Sequence, residues 1–203
     1  NLKLKVKDYD KIKIIAVSKT FPSEKIMPLI EYGHLDFGEN KVQEAIDKWS
    51  DIKLNFPKIK LHLIGKLQTN KVKFAVKIFD YIHSVDSEKL AKKIADEEIK
   101  INKKIKIFIQ VNIGNEQQKS GINKSQLQDF YLFCKKLNLN IVGLMCIPPI
   151  DQDTISFFKE MQTLTNDLKL NELSMGMSSD YIEAARYSST FLRIGSGIFG
   201  QRG

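Results

Sequence analysis

The chain has 203 residues, a mass of 23.3 kDa and a net charge of +8, with 42% hydrophobic and 28% charged residues. That length supports one domain with a full core rather than two, and the composition excludes a disordered chain. No stretch reaches the roughly 20 apolar residues of a membrane-spanning helix, and the opening Asn1-Leu-Lys-Leu-Lys-Val-Lys-Asp has no uninterrupted apolar core, so it is not expected to be a signal peptide.

A first strand is predicted over residues 11–18, where isoleucine and valine dominate. Pro22 sits one turn into a helix that runs to Gly33, a glycine suited to the position past a helix end. Residues 35–37 read as a very short strand. Residues 40–49 read as a helix with Val42, Ala45, Ile46 and Trp49 on one face. Strand 60–64, helix 68–76 and strand 81–85 follow. Ser87 is predicted to cap a helix reaching residue 99, with Leu90, Ala91 and Ile94 turned inward. The second half keeps the rhythm: strand 105–112, helix 125–137, strand 140–146, and helix 154–168 with Phe157, Phe158, Met161, Leu164 and Leu168 at helical spacing. Strand 172–175, helix 180–187 and strand 191–194 follow, and a final short helix is predicted from Ser196.

Eight strands alternating with helices imply parallel strands joined by right-handed crossovers. The count predicts an α/β fold of the (β/α)8 TIM-barrel type, a single domain over residues 1–203, with a doubly wound open sheet as the alternative. About 203 residues is small for a barrel of this kind, so the loops must be short.

The lysines are spread singly or in pairs along the whole chain, and no basic run carries interleaved aromatics. This describes a solvated surface rather than a nucleic-acid footprint. Cys134 and Cys146 have neither disulfide nor zinc spacing and are expected to be reduced, buried thiols of a cytoplasmic protein. The first residue is Asn1 rather than Met, so a trimmed N-terminus is expected.

In such a barrel the chemistry sits at the C-terminal ends of the strands. The first strand ends in Ser18-Lys19-Thr20. If Ile15 and Val17 point inward, alternation turns Lys19 inward as well, where an apolar surrounding would depress its pKa toward that of an imine-forming amine. Taken alone, Lys19 reads sooner as an exposed lysine, the default for that residue. The last strand changes the balance. Gly195-Ser196-Gly197, just before a short helix, offers unhindered N–H groups to a phosphate, and Ser178 opens the preceding helix. Arg193 alternates with Phe191 and points inward. Its acceptor is either a ring nitrogen of a bound cofactor or an Asp or Glu across the barrel. A lysine for an imine, two phosphate-binding turns and an arginine for a ring nitrogen together suggest pyridoxal 5′-phosphate (PLP).

The motifs Ala16-Val-Ser-Lys-Thr-Phe-Pro22, Phe37-Gly-Glu-Asn40, His62-Leu-Ile-Gly-Lys-Leu-Gln-Thr-Asn-Lys71, His83-Ser-Val-Asp86, Lys119-Ser-Gly121, Gly143-Leu-Met145, Ser174-Met-Gly-Met-Ser178 and Arg193-Ile-Gly195 occur in this order. With them the chain resembles the pyridoxal phosphate homeostasis protein family, single-domain relatives of the alanine racemase barrel, from about Ile14 to Arg202. The resemblance implies that Lys19 forms the Schiff base with PLP. It assigns Ser178, Gly195 and Ser196 to the phosphate and Arg193 to the pyridine nitrogen. Asn40 and Met145 match positions lining the cofactor, and His62 lies on the inner face nearby. Two departures stand out: the segment before the first strand is shorter than is usual in the family, and Ser188 stands where a glycine usually ends the helix after the seventh strand.

An arginine cannot accept the ring proton, so it favours an unprotonated ring and a weak electron sink. The sequence ends at Gly203 and is expected to lack the β-rich domain that supplies racemases with a second acid or base. The expected function is therefore PLP homeostasis, by buffering or delivery, with little turnover. Its partners would be the cofactor and, transiently, PLP-dependent enzymes, and the protein is expected to be a monomer. A racemase-like PLP enzyme and a sugar-phosphate barrel enzyme are the alternatives.

Overall fold

The computed structural model describes residues 2–6, 9–149 and 152–201. Asn1, where trimming was expected, and Arg202, where the family resemblance ends, lie outside them. The eight strands are β1 (Lys13–Val17), β2 (Asp36–Glu39), β3 (Lys60–Leu63), β4 (Tyr81–Val85), β5 (Lys106–Gln110), β6 (Asn140–Met145), β7 (Glu172–Ser174) and β8 (Phe191–Ile194). They form a closed parallel barrel in sequence order, sealed where β8 pairs with β1 and Arg193 stands opposite Ile15. The (β/α)8 barrel predicted from the alternation is the fold observed.

Most strand residues are buried, and the less buried ones lie at the strand starts, because one face packs on the helices and the other fills the barrel. The helices are α1 (Leu2–Lys5), α2 (Ser23–Glu31), α3 (Val42–Asn55), α4 (Val72–Ile78), α5 (Glu88–Ile101), α6 (Leu127–Lys136), α7 (Thr154–Asp167), α8 (Tyr181–Arg186) and α9 (Ser196–Phe199). Each long one buries a stripe at helical spacing, as Val42, Ala45, Trp49 and Ile52 do in α3. Ser87 caps α5 as predicted, accepting the Leu90 N–H at 3.4 Å.

Three boundaries and one added helix stand out against the sequence reading. β2 runs through Gly38 to Glu39. A Cβ at Gly38 would stand 2.8 Å from the Ile15 Cγ2, so here the barrel interior needs a residue without a side chain. α3 continues past Trp49 to Asn55 because Ile52 extends its buried stripe. The helix predicted over 68–76 begins as a 3-10 turn, Thr69–Lys71. The small helix α1 carried no clear sequence signal.

Two cores result. The larger lies between barrel and helices and holds Trp49, Phe79 and Phe158. The smaller lies inside the barrel and is built on Ile15, Tyr81, Phe108, Met145 and Phe191. At Gly143 the neighbouring strand leaves no room for a side chain: a Cβ would fall 1.9 Å from the Glu172 carbonyl oxygen.

Ser188, just past α8, has φ +65°, the left-handed region that a side chain disfavours. The Gln162 Nε2 donates to its hydroxyl at 2.6 Å, a bond near the surface that offsets only part of the strain. Ser188→Gly is expected to stabilise the fold by about 1 kcal/mol. Thermal unfolding should then show a Tm higher by roughly 2–4 °C.

Candidate functional site

Lys19 follows β1, and the residues on both sides of it are anchored. The Ser18 N–H donates to the Gly38 carbonyl at 3.0 Å, and its Oγ donates to Glu39 Oε1 at 2.8 Å. The Ser18 carbonyl accepts from Lys48 Nζ at 2.9 Å. Thr20 is a β-branched residue at φ +68°, a costly conformation, and its N–H donates to Glu44 Oε1 at 2.6 Å. The loop that presents Lys19 is thus held in a strained turn by β2 and α3. Glu39 is the hub. It is fully buried, and its Oε1 accepts from Ser18, from Trp49 Nε1 at 2.9 Å and from Lys48 Nζ at 3.0 Å.

The opposite wall comes from the ends of β7 and β8. Gly176 turns the chain at φ +90°. Beyond it, the Ser178 Oγ accepts from the Gly195 and Gly197 N–H groups, both at 3.3 Å. Two backbone donors therefore converge on one hydroxyl oxygen. Arg193 is buried on β8. Its Nη1 donates to the Ser174 carbonyl and hydroxyl oxygens at 2.8 and 2.7 Å, and its Nη2 to the Cys146 carbonyl at 2.8 Å. Among the described residues it pairs with no carboxylate, so the ion pair across the barrel left open by the sequence is not formed. Those three bonds use three of the five N–H groups of a guanidinium.

Between these walls lies a cavity of about 470 Å3 at the C-terminal mouth of the barrel, within the roughly 300–1,000 Å3 usual for small-ligand sites. It is lined by Val17, Lys19, Asn40, Ile64, Ile147, Met177, Ser178, Ser179, Arg193, Gly195 and Ser196. Six of the residues singled out from sequence thus meet here: Lys19, Asn40, Ser178, Arg193, Gly195 and Ser196. His62 and Met145 do not line it. Both are fully buried, each two residues before a lining residue, Ile64 and Ile147, and so one inward layer deeper. Val17, Ile64 and Ile147 were missed, although stepping two residues from Lys19, His62 and Met145 would have found them. Met177 and Ser179 flank Ser178 and carried no separate signal. The lining contains no carboxylate, so it suits an anionic ligand.

Beneath the cavity the barrel interior holds two buried histidines. His62 stacks on Tyr81 and His83 on Phe108, each with ring centroids 4.2 Å apart. Burial lowers the pKa of both, His83 well below its ordinary value. Cys134 and Cys146 are free and buried, and burial pushes both thiols up to about 12, so neither is a thiolate at neutral pH.

Two outcomes are expected. Glu39→Ala would leave the Lys48 ammonium, with only 9% of its side chain exposed, to the Glu44 carboxylate alone at 3.5 Å, and would strand the buried Trp49 Nε1. Denaturant unfolding should show a loss of about 3–5 kcal/mol. The buried histidines are neutral in the fold and take up protons only when unfolded, so the unfolded chain binds more protons once the pH drops below about 6.5. Stability should be full above that pH and fall below it, by up to about 2.7 kcal/mol per pH unit for two histidines. His83→Gln should halve the slope.

Comparison with known proteins places the chain. The family model for the alanine racemase N-terminal domain matches residues 1–203. The pyridoxal phosphate homeostasis protein of Vibrio alginolyticus is 35% identical over 95% of this chain and 88% of its own. Its namesake from Vibrio cholerae serotype O1 is 37% identical over 94% and 86%. The structure of PipY from Synechococcus elongatus PCC7942 with PLP bound superposes with a TM-score of 0.88 at 34% identity, covering 98% of this chain and 96% of that one. The chain belongs to the alanine racemase N-terminal domain family and, within it, to the pyridoxal phosphate homeostasis proteins.

Proposed function

From that family membership we propose that the chain, working as one domain, holds PLP in the cavity at the barrel mouth and serves its homeostasis by buffering or delivering it. One observation carries the reading: Lys19, Arg193, Ser178, Gly195 and Ser196 share a single cavity whose lining has no carboxylate. The residues fit the group. The phosphate would take the Ser178 hydroxyl and the Gly195 N–H, helped by Ser196. The pyridine nitrogen would accept from an N–H of Arg193 that its three protein bonds leave over. Asn40 lines the same space.

When bound, PLP supplies an aldehyde that condenses with the Lys19 amine to a Schiff base, releasing one water, and a ring that can draw electrons from an attached amino acid. The protein's own residues limit the second role. Arg193 keeps its protons and so favours an unprotonated ring nitrogen. Among the residues lining the cavity, Lys19 is the single amine, imidazole, carboxyl, phenol or thiol group able to serve as acid or base near neutral pH. Racemisation needs a proton moved at each face of the substrate carbon. The site therefore keeps its cofactor with little turnover. His62 and Met145 act beneath it, as support rather than contact. The reading includes a monomer in the cytoplasm that meets PLP-dependent enzymes only transiently. Free, buried thiols support that compartment.

The test is the visible spectrum of the purified protein with PLP, before and after borohydride, followed by peptide mass mapping. A yellow protein that bleaches and carries a pyridoxyl group on Lys19 is expected. Lys19→Ala should lose the reducible linkage and keep weaker, noncovalent binding, while Arg193→Ala should keep the linkage with a changed spectrum. A protein that stays colourless with added PLP would overturn the cofactor and favour a sugar-phosphate ligand. Turnover of alanine or serine to its mirror image would favour the racemase instead.

A further inference from the structure

Arg193 is a buried cation without a carboxylate beside it, yet its bonds lead to one. Ser174 Oγ, 2.7 Å from Arg193 Nη1, lies 3.0 Å from His83 Nδ1. His83 Nε2 is 3.0 Å from His62 Nδ1, and His62 Nε2 is 3.0 Å from Asp36 Oδ1. Asp36 opens β2 at the opposite end of the barrel, and its side chain is 20% exposed. The row thus joins the buried guanidinium to a carboxylate at the far mouth.

The chemistry of the groups sets the direction of every bond. A guanidinium only donates, so Ser174 Oγ accepts from it. That hydroxyl keeps one proton to give, and His83 Nδ1 can take it if that nitrogen is bare, which the Asp36 end of the row requires when both rings are neutral. A neutral His83 therefore carries its proton on Nε2 and donates to His62 Nδ1. His62 in turn carries its proton on Nε2 and donates to Asp36. Working back from the Asp36 carboxylate, which only accepts, gives the same two tautomers. The stacked rings Tyr81 and Phe108 hold the imidazole planes in place.

We propose that Ser174, His83, His62 and Asp36 are positioning residues for Arg193: a one-way hydrogen-bonded strut through the barrel axis that fixes the guanidinium and connects it to its balancing charge. The burial that keeps both rings neutral is what the strut requires. Bonds aligned in one direction polarise each other, so the strut also tunes how strongly Arg193 donates to an acceptor in the cavity. This rests on the reading that Arg193 faces the cofactor nitrogen.

Nitrogen-15 NMR of the histidine-labelled protein without PLP tests the strut by itself. Both rings should be neutral with the proton on Nε2 at pH 7. A proton on Nδ1, or an imidazolium, on either ring would overturn it. The second test titrates PLP and records its absorption band. Ser174→Ala should weaken binding by about tenfold, the loss of one hydrogen bond to a charged group, and shift the band. Ser174→Thr should restore both. Asp36→Asn, outside the cavity, should act in the same direction. In an Arg193→Met background Ser174→Ala should have no further effect on either readout. Equal effects with and without Arg193, or a change in Tm alone, would overturn the proposal. Absence of PLP binding by the unaltered protein would instead sink the proposed function, while the NMR result would still judge the strut.

Discussion

Closure of the barrel is the constraint on which everything else depends. Lys19 stands near the start of the chain and Arg193 and Gly195 near its end. They share a cavity because β8 pairs with β1 in a register that sets Arg193 opposite Ile15 and Ile194 opposite Ala16. In an open sheet those two strands would be edges, with unpaired backbone groups and no common space above them. The site is a property of the seam.

Each side of that seam is made rigid differently. On the β1 side the tie is electrostatic: the Glu39–Lys48 pair, buried and shared with Ser18 and Trp49, clamps the turn before Lys19, and Glu44 clamps the turn after it. On the β8 side it is backbone geometry: Gly176 turns without a Cβ that would stand 2.5 Å from Ala184, and Ser178 gathers two N–H groups. The turn that carries Lys19 is thus held by side chains of β2 and α3, whereas the turns opposite it are held largely by the chain itself.

How much of this the sequence carried depended on the range of the interaction. The strands were legible because their β-branched runs are local, and the mouth of the barrel was legible because strand ends are. Met145 came from the family resemblance and His62 from its place on the inner face nearby; neither reading has a measure of depth, so both were assigned to the cavity rather than to the layer below it. The acceptors of Arg193 were not legible: two are backbone carbonyls, which every residue possesses. Nor was the role of Lys48 and Glu44, which a helix stripe marks only as charged residues of α3. The left-handed Ser188 was legible, since a helix end asks for glycine whether or not one is there.

The directed row of bonds from Arg193 to Asp36 has a consequence for how such a protein changes over generations. Each member's proton is fixed by the one before it, so no member can be exchanged alone for a group of opposite donor sense without stranding a buried polar atom. An apolar barrel interior can drift by small volume changes, one position at a time. This one can be revised only as a set, with residues on β2, β3, β4, β7 and β8 replaced together. Strands far apart in the chain are thereby bound to a shared history.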